Sequence, residues 1–181
     1  VMEFARAEHC DVLAYAGDME DKKIAKELGS SDLKIVAIAG NMDWSALAEY
    51  LGSAYIHGKM VNMGGVGFFG ISGLRSAMSD EKEFHAEIER ATQKRFVLLT
   101  HVPPYGTKTD VTHIKTHIGS PVVRGIIEKF NPALCIHGHV HESRGTDKIG
   151  NTVVVNPGPG FKKNAALVFL DDVVDVKLLT L

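Results

Sequence analysis

Apolar residues fall along this chain in short runs, several of them ending on a glycine or a polar side chain, and between the runs lie stretches of helical period. The first residues, Val1, Met2, Phe4 and Ala5, make a helical stripe with no Ser, Thr, Asp or Asn ahead of it as a cap, so a segment upstream of Val1 is expected. Val12 to Ala16 reads as a buried strand closed by Gly17-Asp18. Asp21 to Leu28 carries Ile24, Ala25 and Leu28 at helical spacing and ends at Gly29-Ser30-Ser31. Lys34 to Ala39 is a second strand, followed by Gly40-Asn41-Met42-Asp43, where Asp43 can cap a helix from Trp44 to Leu51. This strand and helix alternation predicts a layered α/β fold with parallel strands and right-handed crossovers.

The pattern then changes. Tyr55-Ile56, Lys59 to Met63 and Val66 to Ile71 are short β-like pieces divided by Gly58, Gly64-Gly65 and Gly73, which suits hairpin strands. Ser79 to Lys94 is a charged amphipathic helix with acids in its first turn and Lys94 and Arg95 at its end; its His85 reads as a surface or half-buried side chain. Phe96 to Thr100 runs apolar into His101, and the polar, turn-rich segment from there to Ser120 contains Asp110, His113 and His117. His113 and His117 would share a face if helical, but Thr and Gly there argue for a loop. Ser120 caps a helix from Pro121 to Phe130, which leads into a strand from Ala133 to His137. Thr152 to Val155, Ala165 to Leu170 and Val173 to Leu179 are strand-like, with Asp171-Asp172 as a hairpin tip.

Composition narrows the picture. With 181 residues, 45% hydrophobic and 23% charged, one compact domain spanning 1–181 is expected. Net charge is −2 and Lys and Arg are scattered, so there is no nucleic-acid footprint and no polybasic membrane patch, and a small molecule is the default partner; a homo-oligomer stays open. Cys10 and Cys135 read as buried free thiols of a reducing, cytoplasmic setting, and no run approaches the roughly 18 apolar residues of a membrane span.

The chemistry gathers at strand ends. Four apolar runs finish at Asp18, Asn41, His101 and His139, with His141 two positions further on; in a parallel sheet such ends line one edge, where ligands bind. Taken alone, the histidines of Gly138-His139-Val140-His141 are either strand-end caps or metal ligands. Taken together, one carboxylate, one amide and three imidazoles suit Mn, Fe, Zn, Co or Ni better than Ca or Mg. Asp18 can bridge two such ions. His137 is read as a core histidine, while His9, His57 and His113 have no evident partner.

In order and across the chain, Gly17-Asp18, Gly40-Asn41-Met42-Asp43, His101 and Gly138-His139-Val140-His141 resemble the motifs of the calcineurin-like metallophosphoesterases, especially their small bacterial and archaeal members. The resemblance implies a layered α-β-β-α sandwich with parallel and mixed strands. It also implies two divalent metal ions about 3.5–4 Å apart that activate a bridging hydroxide against a phosphoester. By resemblance Asp18 bridges, Asn41, His101 and His139 complete one metal, His141 belongs to the other, and Asn41 and Asp43 take the catalytic roles. Two departures stand out. The family's Asp-x-His block is absent, so one metal site has its full ligand set here, and we expect that block upstream of residue 1. Met42 occupies the place of a histidine that helps protonate the leaving group, which predicts a bias toward good leaving groups. His117 and Arg75 could approach the substrate from loops. The implied activity is hydrolysis of a small-molecule phosphodiester, or a phosphomonoester; the alternative is an inactive metal-binding or protein-interaction scaffold.

Overall fold

A computed structural model describes residues 1–74, 81–91 and 95–181. Arg75, Ser79 and Lys94, named above, lie outside the described residues. The chain runs α1 (Met2–Ala7), β1 (Leu13–Tyr15), α2 (Lys22–Gly29), β2 (Ile35–Ala37), α3 (Leu47–Leu51), β3 (Met60–Met63), β4 (Val66–Ile71), α4 (Glu81–Arg90), β5 (Phe96–Thr100), α5 (Pro121–Phe130), β6 (Leu134–Ile136), β7 (Gly145–Ile149), β8 (Thr152–Asn156), β9 (Asn164–Leu170) and β10 (Val174–Thr180). Helices start where their caps say they should. Asp21 accepts from the Lys23 N–H at the start of α2, and Ser120 from the Val123 N–H at the start of α5, with Pro121 in the first turn.

The strands form a six-stranded mixed sheet, in the order β3-β4-β5-β6-β8-β7, and two pairs, parallel β1-β2 and antiparallel β9-β10. β4, β5, β6 and β8 are mutually parallel and β3 and β7 close the edges antiparallel. β7 was not legible beforehand: Gly-Thr-Asp-Lys-Ile alternates exposed and covered positions on an edge and carries too few apolar side chains to announce itself. The β1-β2 pair joins the larger sheet through the chain after β2. The Ile56 N–H donates to the Ala37 carbonyl, Gly58 to Gly70, and Gly73 to Ala39.

Burial sorts the core into layers. Phe84 and Ile88 of α4 and Val123, Ile126 and Ile127 of α5 pack on Phe69, Leu98, Cys135 and Val154 on one face of the six-stranded sheet. The opposite face, Phe68, Val97, Leu99, Leu134 and Val155, meets Val36, Ile38 and the half-buried side chains of β9 and β10. Behind β1-β2, Ala25, Leu28, Leu47 and Leu51 of α2 and α3 close the far side. The result is the expected α-β-β-α layering, with the apolar faces of both sheets buried against each other.

Two expectations need correction. The helix predicted from Trp44 with Asp43 as its cap is confined to Leu47–Leu51, with Ala46 at the cap position and no side-chain bond there. The Asp43 carboxylate is turned away to a different task, described below. Of the two cysteines, both free, Cys135 is buried but Cys10 is only half-buried. Burial pushes the Cys135 thiol up to about 12 and leaves it inert. A disulfide-exchange reagent such as Ellman's should therefore titrate Cys10 in the native protein and leave Cys135 untouched until denaturant is added; rapid native reaction of both thiols would contradict this packing.

Candidate metal centre

The loops that follow β1 and β2 are folded against each other by one carboxylate. Asp43, buried, accepts four backbone N–H groups: Asp18 at 2.8 Å and Gly40 at 2.7 Å on Oδ2, Met19 at 2.8 Å and Glu20 at 3.0 Å on Oδ1. Asp18 answers from the other side, its Oδ1 accepting from the Met42 N–H at 2.9 Å. The approach leaves no room for side chains on the glycines. A Cβ on Gly17 would lie 2.4 Å from the Gly40 nitrogen, and one on Gly40 would lie 2.1 Å from Asp18 Oδ1. Asp18 and Glu20 themselves sit at positive φ, 56° and 54°, a strained geometry that this hydrogen-bonding holds in place.

With Oδ1 so occupied, Asp18 directs Oδ2 toward His101 Nε2, 3.4 Å away. His101 follows β5 and is buried, and its Nδ1 donates to the Ala16 carbonyl at 2.8 Å. A carbonyl can only accept, so neutral His101 carries its proton on Nδ1 and shows a bare lone pair on Nε2. Asn41 Oδ1 lies 2.8 Å from that nitrogen and 2.8 Å from His139 Nδ1, and the two histidine nitrogens are 3.2 Å apart. His139 also holds positive φ, 67°. Burial and the neighbouring His101 both lower its pKa, which favours the neutral imidazole that a metal requires.

Four electron-pair donors from four chain segments are thus joined by contacts of 2.8–3.4 Å, all three others meeting His101. Donors about 2.0–2.2 Å from a shared transition metal stand about 3.0–3.5 Å from each other in octahedral or tetrahedral geometry, so this spacing fits a bound divalent cation. No group of three or more His, Cys, Asp or Glu side chains among the described residues makes a metal site unaided. The Asn41 amide is what links the two histidines, and Asp18 meets only one of them.

The remaining expected residues fall elsewhere. His141 is exposed, its ring edge-on to Phe161 at 5.5 Å, outside the cluster. Asp43 has no lone pair directed at the cluster; both its oxygens are committed to the backbone, and it positions the site rather than acting in it. His137 is the satisfied core histidine expected of it. Its Nδ1 donates to the Gly138 carbonyl, the Thr109 hydroxyl donates to its Nε2, and burial pushes its pKa down to about 4. His113 and His117 are not helical partners: Val111 and His117 form a bridge, and His113 points to Glu142. His57 does have a partner, accepting from the Ser72 N–H at 3.1 Å. Asn156 went unnoticed as a positioning residue. Its Nδ2 donates to the carbonyls of Val140 and Ser143 and shapes the loop that carries His139. The Asn-Pro-Gly turn after β8 was the available signal. A cavity of about 570 Å³ between α2 and α3, lined by Lys26, Gly29, Ser30, Glu49 and Tyr50, contains none of the cluster residues.

A family model described as metallophosphoesterase, calcineurin superfamily, matches residues 9–172, which is most of the chain. The uncharacterized protein MJ1162 of Methanocaldococcus jannaschii is 34% identical, over 90% of this chain and 85% of its own length. The UPF0046 protein K07C11.7 of Caenorhabditis elegans is 34% identical over 61% of the chain, which spans 39% of that longer protein. Among solved structures, TT1561 of Thermus thermophilus superposes with a TM-score of 0.65 at 19% identity, over 97% of this chain and 89% of that one. That likeness speaks to the fold alone.

Removing the Asp43 carboxylate should separate clasp from surface. Asp43→Ala strands four backbone donors, and we expect a loss on the order of 3 kcal/mol in denaturant unfolding together with loss of metal uptake. Met42→Ala, at a side chain 62% exposed, should change stability by no more than about 0.5 kcal/mol. Equal effects of the two would contradict the clasp.

Proposed function

We propose that this chain, which belongs to the metallophosphoesterases of the calcineurin superfamily, hydrolyses phosphodiesters of small molecules using divalent metal held first by Asp18, Asn41, His101 and His139. The observation that carries the reading is the convergence of those four side chains, at 2.8–3.4 Å, on the edge where the parallel strands end. The mixed oxygen and nitrogen set favours Mn, Fe, Zn, Co or Ni. Asp18, as a bridge, and His141 are the residues of this chain that would serve a second ion. When bound, such metals supply Lewis acidity toward phosphoryl oxygens and lower the pKa of water.

The chain's own groups do the rest. Ala16 fixes the His101 tautomer so that its lone pair faces inward, and the strained backbone at Asp18 and His139 presents both side chains to one point. The Asn41 amide nitrogen, which makes no hydrogen bond among the described residues, is free to donate to a phosphoryl oxygen and orient it for in-line attack. No side-chain nucleophile is required.

The purified protein should hydrolyse bis(p-nitrophenyl) phosphate, lose that activity to a chelator and recover it with Mn. His139→Ala should cut the rate by more than about 100-fold and lower the metal content measured by elemental analysis, since loss of even an outer partner of a ligand costs about 10–100-fold. Unchanged metal content and rate in that variant would overturn the proposal.

A further inference from the structure

The loop between β5 and α5 is organised by a second buried carboxylate. Asp110, fully buried, accepts from the N–H groups of Gly106 at 2.9 Å, Thr107 at 3.0 Å and Gly119 at 3.2 Å, and its Oδ1 accepts from His117 Nδ1 at 2.5 Å. The carboxylate fixes which nitrogen carries the shared proton. It leaves His117 Nε2 with no hydrogen-bond partner among the described residues, on a side chain 42% exposed and packed beside the Tyr105 ring at 5.7 Å.

The loop that carries this imidazole leaves the sheet at the strand edge where the cluster lies. It departs directly after His101 and is bonded to the segment carrying His139 at three points. The Thr109 hydroxyl meets His137 at 2.8 Å, the His113 N–H donates to Glu142 at 3.0 Å, and the Ser143 hydroxyl donates to the carbonyl of Val111, the residue bridged to His117. The motif position where a proton donor would be expected holds Met42, an exposed thioether with no proton to give. Asp43 is fully committed, His137 is bonded at both ring nitrogens, and His101 and His139 belong to the cluster.

Resting on the phosphodiesterase reading above, we propose that His117 is a catalytic general acid, oriented by Asp110, that protonates the leaving group in place of the histidine that Met42 displaces. Water adds to phosphorus and gives up one proton to solvent, the bond from phosphorus to the leaving oxygen breaks with its electron pair on that oxygen, and His117, protonated on both ring nitrogens, passes its Nε2 proton to that oxygen. The imidazole retains Nδ1–H on Asp110 and regains its Nε2 proton from solvent. A buried carboxylate that holds one imidazole nitrogen while the other faces outward is the arrangement general acid catalysis needs.

The test uses His117→Asn, whose amide nitrogen can keep the bond to Asp110 while Nε2 is lost. With p-nitrophenyl methyl phosphate, a good leaving group, kcat should stay within about threefold of wild type. With phenyl methyl phosphate, a poor one, it should fall by about 100-fold or more, within the usual range for a general acid. Equal losses on both esters, or none, would overturn the assignment and leave His117 as a loop brace. A second readout does not depend on turnover. In the zinc-loaded protein, the His117 ring Cε1–H resonance should shift on addition of phenylphosphonate, and its standing still would also overturn the proposal. If wild type binds zinc but hydrolyses neither ester, the phosphodiesterase reading fails; the ring shift then decides alone whether His117 faces a phosphoryl ligand.

Discussion

The candidate site depends on the Asp43 carboxylate and the four N–H groups it gathers from two separate loops. A strand end delivers a side chain to an edge, but it does not fix the direction of that side chain. The peptide dipoles after β1 and β2 would otherwise splay toward solvent. Bound to one buried anion, they bring the Asp18 and Asn41 backbones close enough that only glycine fits at positions 17 and 40. Charge-assisted bonds of this kind are roughly twice as strong as neutral ones, and here they offset the positive φ at Asp18 and Glu20. Strain and clasp are therefore two sides of one arrangement.

The same device recurs at the next strand end. Asp110 collects three N–H groups and an imidazole within the loop after β5, and Asn156 collects two carbonyls in the loop after β6. Buried polar side chains at each exit do what secondary structure cannot do there, because the chain has left the sheet and its backbone groups still need partners. The sheets supply the coarse alignment of the exits, and these three residues supply the fine one.

Much of this was legible in the sequence, for identifiable reasons. Runs such as Phe96 to Thr100 and Leu134 to Ile136 are buried on both faces and so are apolar throughout, which makes them easy to find and places their polar successors at one edge. The caps Asp21 and Ser120 announced their helices. What escaped was long-range. Asp43 looked like a helix cap because Asp before an apolar stretch usually is one, and nothing local reveals that its partners lie mostly some 25 residues away. β7 escaped because an edge strand with one wet face needs few apolar side chains. The contact of His141 with Phe161 depends on a residue that follows β8 and could not be read from the Gly-His-Val-His spacing.

The clasp also changes what Met42 means. The resemblance gave Asp43 a catalytic role beside the motif histidine, and losing that histidine would then leave the acid idle. Here Asp43 is not idle: each of its oxygens already accepts two backbone N–H groups, with no lone pair left to orient a neighbour. The side chain at position 42 is therefore uncoupled from the fold, and its exposed thioether costs the structure nothing. The backbone of the same residue remains essential, because its N–H turns the Asp18 carboxylate toward His101. Position 42 thus contributes to the site through its main chain alone, which leaves proton donation open to an imidazole on another loop.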